Sequence, residues 1–231
     1  MVRIKFIPVF ILILLTGNLQ AQTTNIVMGD FYKNFKGSQW SRMFDDKGDI
    51  KGSPYENEEF VKGDIYTKNQ DHYTAIPLRY NLNTDQMEFK RQEGDIFEVS
   101  NQENIDSVVI GTDKYIYSVF KSGSKIEQGY FRVLYDSNPL LLIKKTIIFR
   151  PAEPAGGYKE PVPPTFERKP DEFYLLSTAG EAVKFSGKKD FLEILNAPAG
   201  ELEQFIKENK IRFSKQEDLI SLMKYYSGIS K

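Results

Sequence analysis

The chain contains no cysteine among its 231 residues. This absence excludes disulfide bonds, thiolate metal ligands and a cysteine nucleophile. It also excludes the acylated cysteine of an exported lipoprotein. The folded protein must therefore be held together by its hydrophobic core alone. A chain of this length can bury such a core, as one domain with a satellite or as two small domains.

Histidine occurs once, as His72. Without thiolates or further histidines, a histidine-based zinc site is excluded. A serine–histidine–aspartate triad would have to include His72, but the stretch Asn69-Gln70-Asp71-His72 is typical of a hairpin turn. We therefore interpret His72 as a turn residue. The sequence predicts no catalytic, cofactor-binding or metal-binding residue, no cofactor and no enzyme activity.

An excess of charge of either sign is also missing. The chain has 31 lysines and arginines against 32 aspartates and glutamates, a formal net charge of −1. So small an imbalance provides no electrostatic argument for binding nucleic acid or an anionic membrane surface. A glycine-rich phosphate loop is missing too, because Gly156-Gly157 is followed by neither Lys-Ser nor a predicted helix start.

Long apolar runs occur only near the N-terminus. Ile4–Leu15 is almost entirely apolar, follows the positive charge of Arg3, and precedes a small residue, Ala21. This pattern predicts a signal peptide over residues 1–21, cleaved before Gln22. The run is shorter than the roughly 20 residues that a transmembrane helix needs. An uncleaved amphipathic anchor is disfavoured because the run has no polar face, and we expect no transmembrane segment after cleavage.

Residues 22–57 are polar, with aromatic side chains scattered among them. No helical or strand period persists, so we predict a partly ordered arm whose aromatics dock on the domain behind it, namely Phe31, Tyr32, Phe35, Trp40 and Phe44. The acidic stretch Asp45-Asp46-Lys47-Gly48-Asp49 invites comparison with a calcium loop. It lacks the alternating oxygen donors and the distal glutamate of such a loop, and we favour a solvated turn.

Residues 58–150 alternate apolar and polar side chains, with a period of two. Ile76, Leu78 and Tyr80 share one face of an extended chain, Asn83-Thr84-Asp85 has turn chemistry, and Met87 resumes the apolar face. Further short runs follow at similar spacing. The pattern predicts an antiparallel β-meander that forms a small sandwich or a barrel-like sheet.

Two details of this region lead to specific expectations. Pro77 cannot donate a hydrogen bond to a strand ladder, so its strand should lie at an edge or carry a bulge. Arg79 and Glu88 fall on the polar face of one predicted hairpin. They are expected to pair across the strands, a contact worth under about 1 kcal/mol when exposed.

Tyrosine is abundant in the strand region. A sheet face lined with it could bind sugar rings or peptide, because the side chain is amphipathic. The alternative, which we favour, is that these residues cover a small sheet: Tyr66, Tyr73, Tyr80, Tyr115, Tyr117, Tyr130 and Tyr135.

Residues 151–170 hold six of the eleven prolines and show no period. We interpret them as a connector in preference to a polyproline ligand for a partner domain. Residues 171–231 are predicted to form a hairpin, from Glu172–Leu176 and Glu181–Phe185, followed by short helices. The last helix is expected to begin at the capping box Ser214-Lys215-Gln216-Glu217. Its apolar stripe, Leu219, Ile220, Met223 and Tyr226, fits core better than a groove-binding face.

Several stretches of the sequence resemble a family of exported proteins from Bacteroidetes-type bacteria that has no characterised function. The resemblance covers most of the chain after residue 21, and it is carried by Gly52-Ser53-Pro54-Tyr55, Ile76-Pro77-Leu78-Arg79-Tyr80-Asn81, Asp85-Gln86-Met87-Glu88-Phe89, Ser122-Gly123-Ser124-Lys125, Phe166-Glu167-Arg168-Lys169-Pro170-Asp171-Glu172 and Glu217-Asp218-Leu219-Ile220. It implies a Gram-negative envelope location and brings no activity, cofactor or catalytic residue. The helical C-terminal region differs from β-rich sorting domains, which favours the periplasm over an extracellular location.

Three functional hypotheses follow from the sequence. The favoured one is a non-enzymatic exported envelope protein, a binding or structural module whose partner is an envelope protein or polymer. The second is a carboxylate-dependent hydrolase acting on an envelope glycan, which requires a cleft where one acid of raised pKa faces another carboxylate. The third is capture of a small apolar or aromatic ligand inside the β-barrel, which requires an internal cavity.

Overall fold

The structure, a computed structural model, describes residues 28–39, 50–92, 95–156, 160–176, 180–196 and 199–229. The predicted signal peptide, Trp40, Phe44 and the acidic stretch Asp45–Asp49 lie outside these residues. The fold is α+β, as predicted, with a β-meander before the hairpin and the C-terminal helices. Within the described ranges, no helix is long and apolar enough to cross a bilayer.

The secondary-structure elements follow one another in this order. The strands are β1 (Lys36–Gln39), β2 (Val61–Thr67), β3 (His72–Asn81), β4 (Gln86–Gln92), β5 (Asp95–Val99), β6 (Ile105–Ile110), β7 (Asp113–Ser122), β8 (Lys125–Tyr135), β9 (Leu140–Lys144), β10 (Ile147–Arg150), β11 (Thr165–Arg168), β12 (Glu172–Leu176) and β13 (Glu181–Phe185). The helices are α1 (28–35), α2 (Lys188–Leu195), α3 (Ala199–Glu208) and α4 (Gln216–Ile229), and a short 3-10 helix spans Gln102–Asn104.

Eleven of these strands form one sheet, in the order β1-β5-β4-β3-β2-β6-β7-β13-β12-β9-β8. The hairpin predicted at Glu172–Leu176 and Glu181–Phe185 is confirmed as β12 and β13. This hairpin belongs to the same sheet, because β12 pairs with β9 and β13 pairs with β7. The remaining strands, β10 and β11, pair with each other, so the proline-rich stretch 151–170 contains a strand.

The last five strands of the sheet close on themselves, because β8 also pairs with β7. We call the assembly of β7, β8, β9, β12 and β13 the ring. Five strands cannot alternate in direction all the way round a ring, so one neighbouring pair must be parallel. That pair is β7 and β13, joined at Glu181↔Val119 and Ala182↔Phe120. The expected barrel-like sheet is therefore present.

Side chains fill the interior of the ring. Phe120, Phe131 and Tyr174 meet there with ring centroids 4.9 to 5.8 Å apart and tilted edge to face. Leu142 and Ala182 complete this buried cluster. Edge-to-face packing is a favourable geometry for aromatic groups. The middle of the ring is thus packed, and this argues against ligand capture inside it.

A second and larger core lies on one face of strands β2 to β8. It contains Ile76, Leu78 and Tyr80, as the alternation predicted, and the helix α1 packs on it. Phe31 and Phe35, one turn apart on α1, are 0% and 5% exposed. The sequence did not predict this helix, because a single apolar i, i+4 repeat is too short to establish a helical period.

The β7–β8 hairpin separates this large core from the ring. Successive residues of a strand point to opposite faces. Tyr130 of β8 therefore belongs to the large core, whereas its neighbour Phe131 points into the ring. On β7, Tyr115 and Phe120 divide in the same way. One hairpin thus serves as a wall of both cores.

The C-terminal helices cover the outside of the ring. Phe173 and Leu175 of β12 face a third buried cluster, which includes the α4 residues Leu219 and Met223. The α4 stripe is therefore core, as predicted, and Leu222 belongs to it as well. The helix begins at Gln216, one residue later than a cap at Ser214 would place it.

Pro77 lies on a central strand, since β3 pairs with both β2 and β4. The edge position expected for this strand is wrong, but the alternative, a bulge, is confirmed. Between the register pairs Gly63↔Ile76 and Ile65↔Tyr73, β2 advances by two residues and β3 by three, so β3 carries one extra residue. Ala75 in this bulge has φ of 56°, and its N–H donates to Asp64 Oδ1 at 3.1 Å.

Candidate functional site

A cleft of about 720 Å³ opens at one end of the ring. Its volume falls in the range of small-molecule sites. Six chain segments contribute to its walls: Leu82–Asp85, the β7–β8 hairpin through Phe120, Ser122 and Glu127, Lys144–Thr146, Lys169–Phe173, Lys184–Ser186 and Phe213–Ser214. Four of these segments include residues of the ring strands, so the cleft exists only because the ring closes.

Lys144 and Asp85 form a partly buried ion pair in the wall of the cleft. Lys144 Nζ lies 2.7 Å from Asp85 Oδ2 and donates to the Tyr130 carbonyl at 3.2 Å. The same ammonium group lies 5.0 and 5.1 Å from the ring centroids of Phe131 and Phe120, within cation–π range. The Lys144 side chain is only 10% exposed, so this charge depends on these partners.

Asp85 is held in place by the turn that the sequence predicted. The Asn81 side-chain oxygen accepts the backbone N–H groups of Asn83 and Thr84, at 3.0 and 3.2 Å, which forms an Asx turn. Asp85 follows with φ of 56°, a conformation that aspartate tolerates better than most residues. Its Oδ1 then accepts the Tyr80 hydroxyl at 2.5 Å and the Tyr130 N–H at 3.2 Å.

These contacts explain the pKa of Tyr80. Burial raises the pKa of its hydroxyl well above the usual value, and the charge and hydrogen bond of Asp85 raise it further. Tyr80 is therefore a permanent donor at physiological pH. With Lys144 and the Tyr130 N–H, it satisfies the Asp85 carboxylate on several sides.

A glycine makes room for the ion pair. A Cβ atom at Gly129 would lie 2.6 Å from Lys144 Nζ and closer still to Asp85 Oδ2. Gly129 sits on β8 opposite Ser118, where the strand turns its inner face toward the cleft. A side chain here would force the Asp85 carboxylate or the Lys144 ammonium group to move, so the glycine allows the pair its present geometry.

A second ion pair lies on the neighbouring strands β12 and β13, where Glu172 is the register partner of Lys144. Lys184 of β13 donates to Glu172 Oε1, and the Tyr174 hydroxyl donates to Glu172 Oε2 at 3.0 Å. Burial raises the pKa of Tyr174, and the charges of Glu172 and Glu127 raise it further. This pair is much more exposed than the first, since the Lys184 and Glu172 side chains are 44% and 39% accessible.

Charges of both signs line the cleft in equal number. The four ammonium groups are Lys144, Lys145, Lys169 and Lys184, and the four carboxylates are Asp85, Glu127, Asp171 and Glu172. Lys145 and Lys169 also pair with Glu56 and Glu167, just outside the lining. The cleft is therefore close to electrically neutral, and most of its charged groups are already paired.

The predicted partners Arg79 and Glu88 do pair across β3 and β4, with Nη2 and Oε2 2.7 Å apart. They are not exposed, however, and the surface contact assumed from the sequence is wrong in that respect. Glu88 is 1% accessible, and Asn81 donates to its second oxygen at 3.0 Å. The Tyr55 and Phe60 rings cover the Arg79 guanidinium, at 3.7 and 4.4 Å.

The same region holds a pair of facing acids. Glu98 is the register partner of Glu88 on β5. Burial raises the pKa of Glu98, and the charge of Glu88 raises it further. Both oxygens of Glu88 already accept hydrogen bonds from Arg79 and Asn81, however, and neither acid lines the cleft. This pair has one feature of a hydrolase site, an acid of raised pKa beside a carboxylate, but it does not line the cleft.

His72 is the first residue of β3 and not a turn residue, so that interpretation was wrong; the turn lies just before it. Its ring stacks on Tyr66 with centroids 4.2 Å apart, and its Nε2 lies 3.7 Å from Asp64 Oδ2. Of the other strand tyrosines named from the sequence, Tyr80, Tyr115 and Tyr130 are buried, and three are partly buried against the cores: Tyr73, Tyr117 and Tyr135. In the described residues, the aromatic groups of the cleft are phenylalanines, not the tyrosine face considered above.

Sequence reasoning missed the central residues of this site. Lys144 was visible only as a charge that interrupts an apolar run, and Asp85 only as a turn residue. Their contact joins positions 59 residues apart, so no local pattern could reveal it.

No protein-family model, curated protein or solved structure matches the chain.

Proposed function

We propose that this protein is a non-enzymatic binding module of the Gram-negative envelope, exported by its N-terminal signal peptide and resident in the periplasm. Its ligand is an envelope protein or an envelope polymer, and its binding site is the cleft at the end of the ring. The observation that carries the proposal is the cleft itself, which combines a suitable volume with convergent polar groups.

The arrangement of charges supports binding over catalysis. A general acid or base has to reach the substrate proton, and a nucleophile needs an adjacent base to activate it. In the cleft, Asp85 and Glu172 instead engage Lys144, Lys184 and tyrosine hydroxyls. Groups that are paired in this way orient a ligand through hydrogen bonds without reacting with it.

The hydrolase hypothesis receives less support. It requires an acid of raised pKa that faces a carboxylate across a cleft. Glu98 has the raised pKa, but its neighbour Glu88 is buried and fully hydrogen bonded. Tyr55 and Phe60 cover the Arg79 guanidinium that binds Glu88, and Glu88 itself is only 1% exposed, so this carboxylate is closed to a substrate.

Export can be tested independently of binding. We expect the protein in the periplasmic fraction of its host, with Gln22 as the N-terminal residue by peptide sequencing. Full-length protein with Met1 in the cytosolic fraction would contradict the envelope assignment.

Binding can be tested by photo-crosslinking in intact cells. A benzoylphenylalanine at position 184 places the probe on the cleft wall, and the same residue at position 189, on exposed α2, serves as the matched control. We expect discrete adducts from position 184 and not from position 189. Identical adduct patterns from the two positions would refute the cleft as the binding site.

A further inference from the structure

The ring is only partly closed on the side of the cleft. The parallel strands β7 and β13 pair at Val119↔Glu181 and Phe120↔Ala182, and at no later position among the described residues. Beyond these positions each strand continues: β7 through Ser122 and β13 through Phe185. We call the gap between Lys121–Ser122 and Val183–Phe185 the seam.

Both borders of the seam are edges of regular β-strands. On its other side β7 is paired with β8 as far as Ser122↔Lys125, and β13 is paired with β12 as far as Phe185↔Phe173. Each border therefore keeps an extended conformation and presents backbone N–H and C=O groups toward the gap. Ser122, Lys184 and Phe185 also line the cleft, so the seam is part of its wall.

We infer that the cleft takes an extended peptide segment of a partner protein, which pairs with the strand edges that border the seam. This inference rests on the proposed binding function and specifies its ligand class. Addition of a strand to an exposed edge is a common mode of peptide recognition, in which backbone hydrogen bonds provide affinity. A saccharide cannot reproduce the regular succession of N–H and C=O groups that such an edge requires.

The charges of the cleft also favour a peptide. Four ammonium groups and four carboxylates surround the site, and the exposed pair Lys184–Glu172 stands directly beside the seam. A peptide with side chains of both signs can exchange partners with such a lining. A uniformly anionic or cationic polymer would instead meet as many repulsive as attractive groups.

The seam can be closed chemically to test this inference. Continuing the β7–β13 register places Lys184 opposite Ser122. Because the chain has no cysteine, the double variant Ser122→Cys/Lys184→Cys can be joined by a short bismaleimide without side reactions. The matched control is Tyr66→Cys/His72→Cys, which joins exposed register partners of the β2–β3 hairpin, outside the cleft and the seam.

The probe is a displayed library of linear peptides of about six residues, the length of a typical strand. Peptides are selected on the unmodified protein, and their affinity is measured by calorimetry. We expect binding that weakens at least about tenfold when the seam is crosslinked, or when alternate peptide amides are N-methylated. The crosslinked control should bind as tightly as the unmodified protein. The double cysteine variant before crosslinking is the reference for the tenfold loss, which separates closure of the seam from loss of the Ser122 and Lys184 side chains or of the fold.

The other outcomes overturn the inference in distinguishable ways. If no selected peptide depends on the open seam, the peptide inference fails. If N-acetylglucosamine oligomers bind the cleft and peptides do not, the ligand class is wrong while the proposed binding function stands. Failure of both probes together with identical crosslinks from positions 184 and 189 removes both proposals. Seam-dependent dimerisation in light scattering would identify a second copy of this chain as the occupant.

Discussion

Replacing Asp85 by asparagine keeps the shape of the side chain but removes the charge with which Lys144 is paired. The amide oxygen can still accept the Tyr80 hydroxyl and the Tyr130 N–H, as Oδ1 does now. The amide nitrogen then stands where Oδ2 was, 2.7 Å from the Lys144 ammonium, so a donor faces a donor. Lys144 keeps one carbonyl acceptor and two phenylalanine rings.

The expected loss of stability follows from this geometry. Breaking a buried ion pair by removing one partner destabilises a protein by about 3–5 kcal/mol. The Asp85 side chain is 30% exposed, so water can approach the site, and we expect the lower end, about 3 kcal/mol. Lys144→Met should be milder, since the carboxylate that remains is partly solvated and keeps two donors.

The double variant Asp85→Asn/Lys144→Met isolates the interaction. Once the unpaired ammonium is removed, it should be more stable than the sum of the single changes predicts, with a coupling of about 1.5–3 kcal/mol. Urea unfolding followed by circular dichroism gives the four free energies. The pair Lys184–Glu172, in the same cleft but more exposed, is the matched control and should couple by less than about 1 kcal/mol. Additive effects at Asp85 and Lys144 would refute the assignment of this pair as partly buried and specific.

Three further predictions concern single positions. Gly129→Ala should destabilise the protein by about 1–3 kcal/mol in urea unfolding, because the added methyl group would collide with the Asp85–Lys144 pair. The control Gly200→Ala, at an open helical position, should be neutral or stabilising. Burial raises the pKa of Tyr130, so the folded state keeps its proton after the unfolded state has lost it. Stability should therefore fall above about pH 10, by about 1.4 kcal/mol per pH unit for this tyrosine, and Tyr130→Phe should reduce that slope in alkaline unfolding titrations; an unchanged slope would contradict its burial. The pKa of Glu98 is raised in the folded state. The protonated side chain therefore stabilises the fold below its ordinary pKa of 4.5, and this stabilisation is lost as the pH rises through the folded pKa. Glu98→Gln should therefore stabilise the protein at pH 7 but not at pH 3, unlike the exposed control Glu59→Gln, and an equal gain at both pH values would disprove the electrostatic origin.

The local elements of the fold could be predicted from the sequence because their causes are local. Alternation of side chains marks a strand wherever one face is buried, and this was sufficient for the β3–β4 and β12–β13 hairpins. Turn chemistry acts over a few residues, and the turn formed at Asn83–Asp85 as expected, although the side chain that accepts its backbone N–H groups is that of Asn81. The capping pattern near Ser214 located the start of α4 to within one residue.

Burial and closure depended on contacts between distant parts of the chain. Arg79 and Glu88 were recognised as partners, but their burial follows from Tyr55 and Phe60, which approach from before β2. Helix α1 exists because the large core offers Phe31 and Phe35 a surface, not because its sequence is strongly helical.

The amino-acid sequence by itself determined which kinds of site are excluded for lack of the necessary residues, where strands and turns form, and which faces are apolar. Each of these depends on composition or on neighbours along the chain. Only the tertiary structure decided that five strands close into a ring, that Asp85 meets Lys144 at its end, and that β7 and β13 part to leave a seam. Those features arise from strand order and from the parity of a closed sheet, and neither is encoded within any one segment.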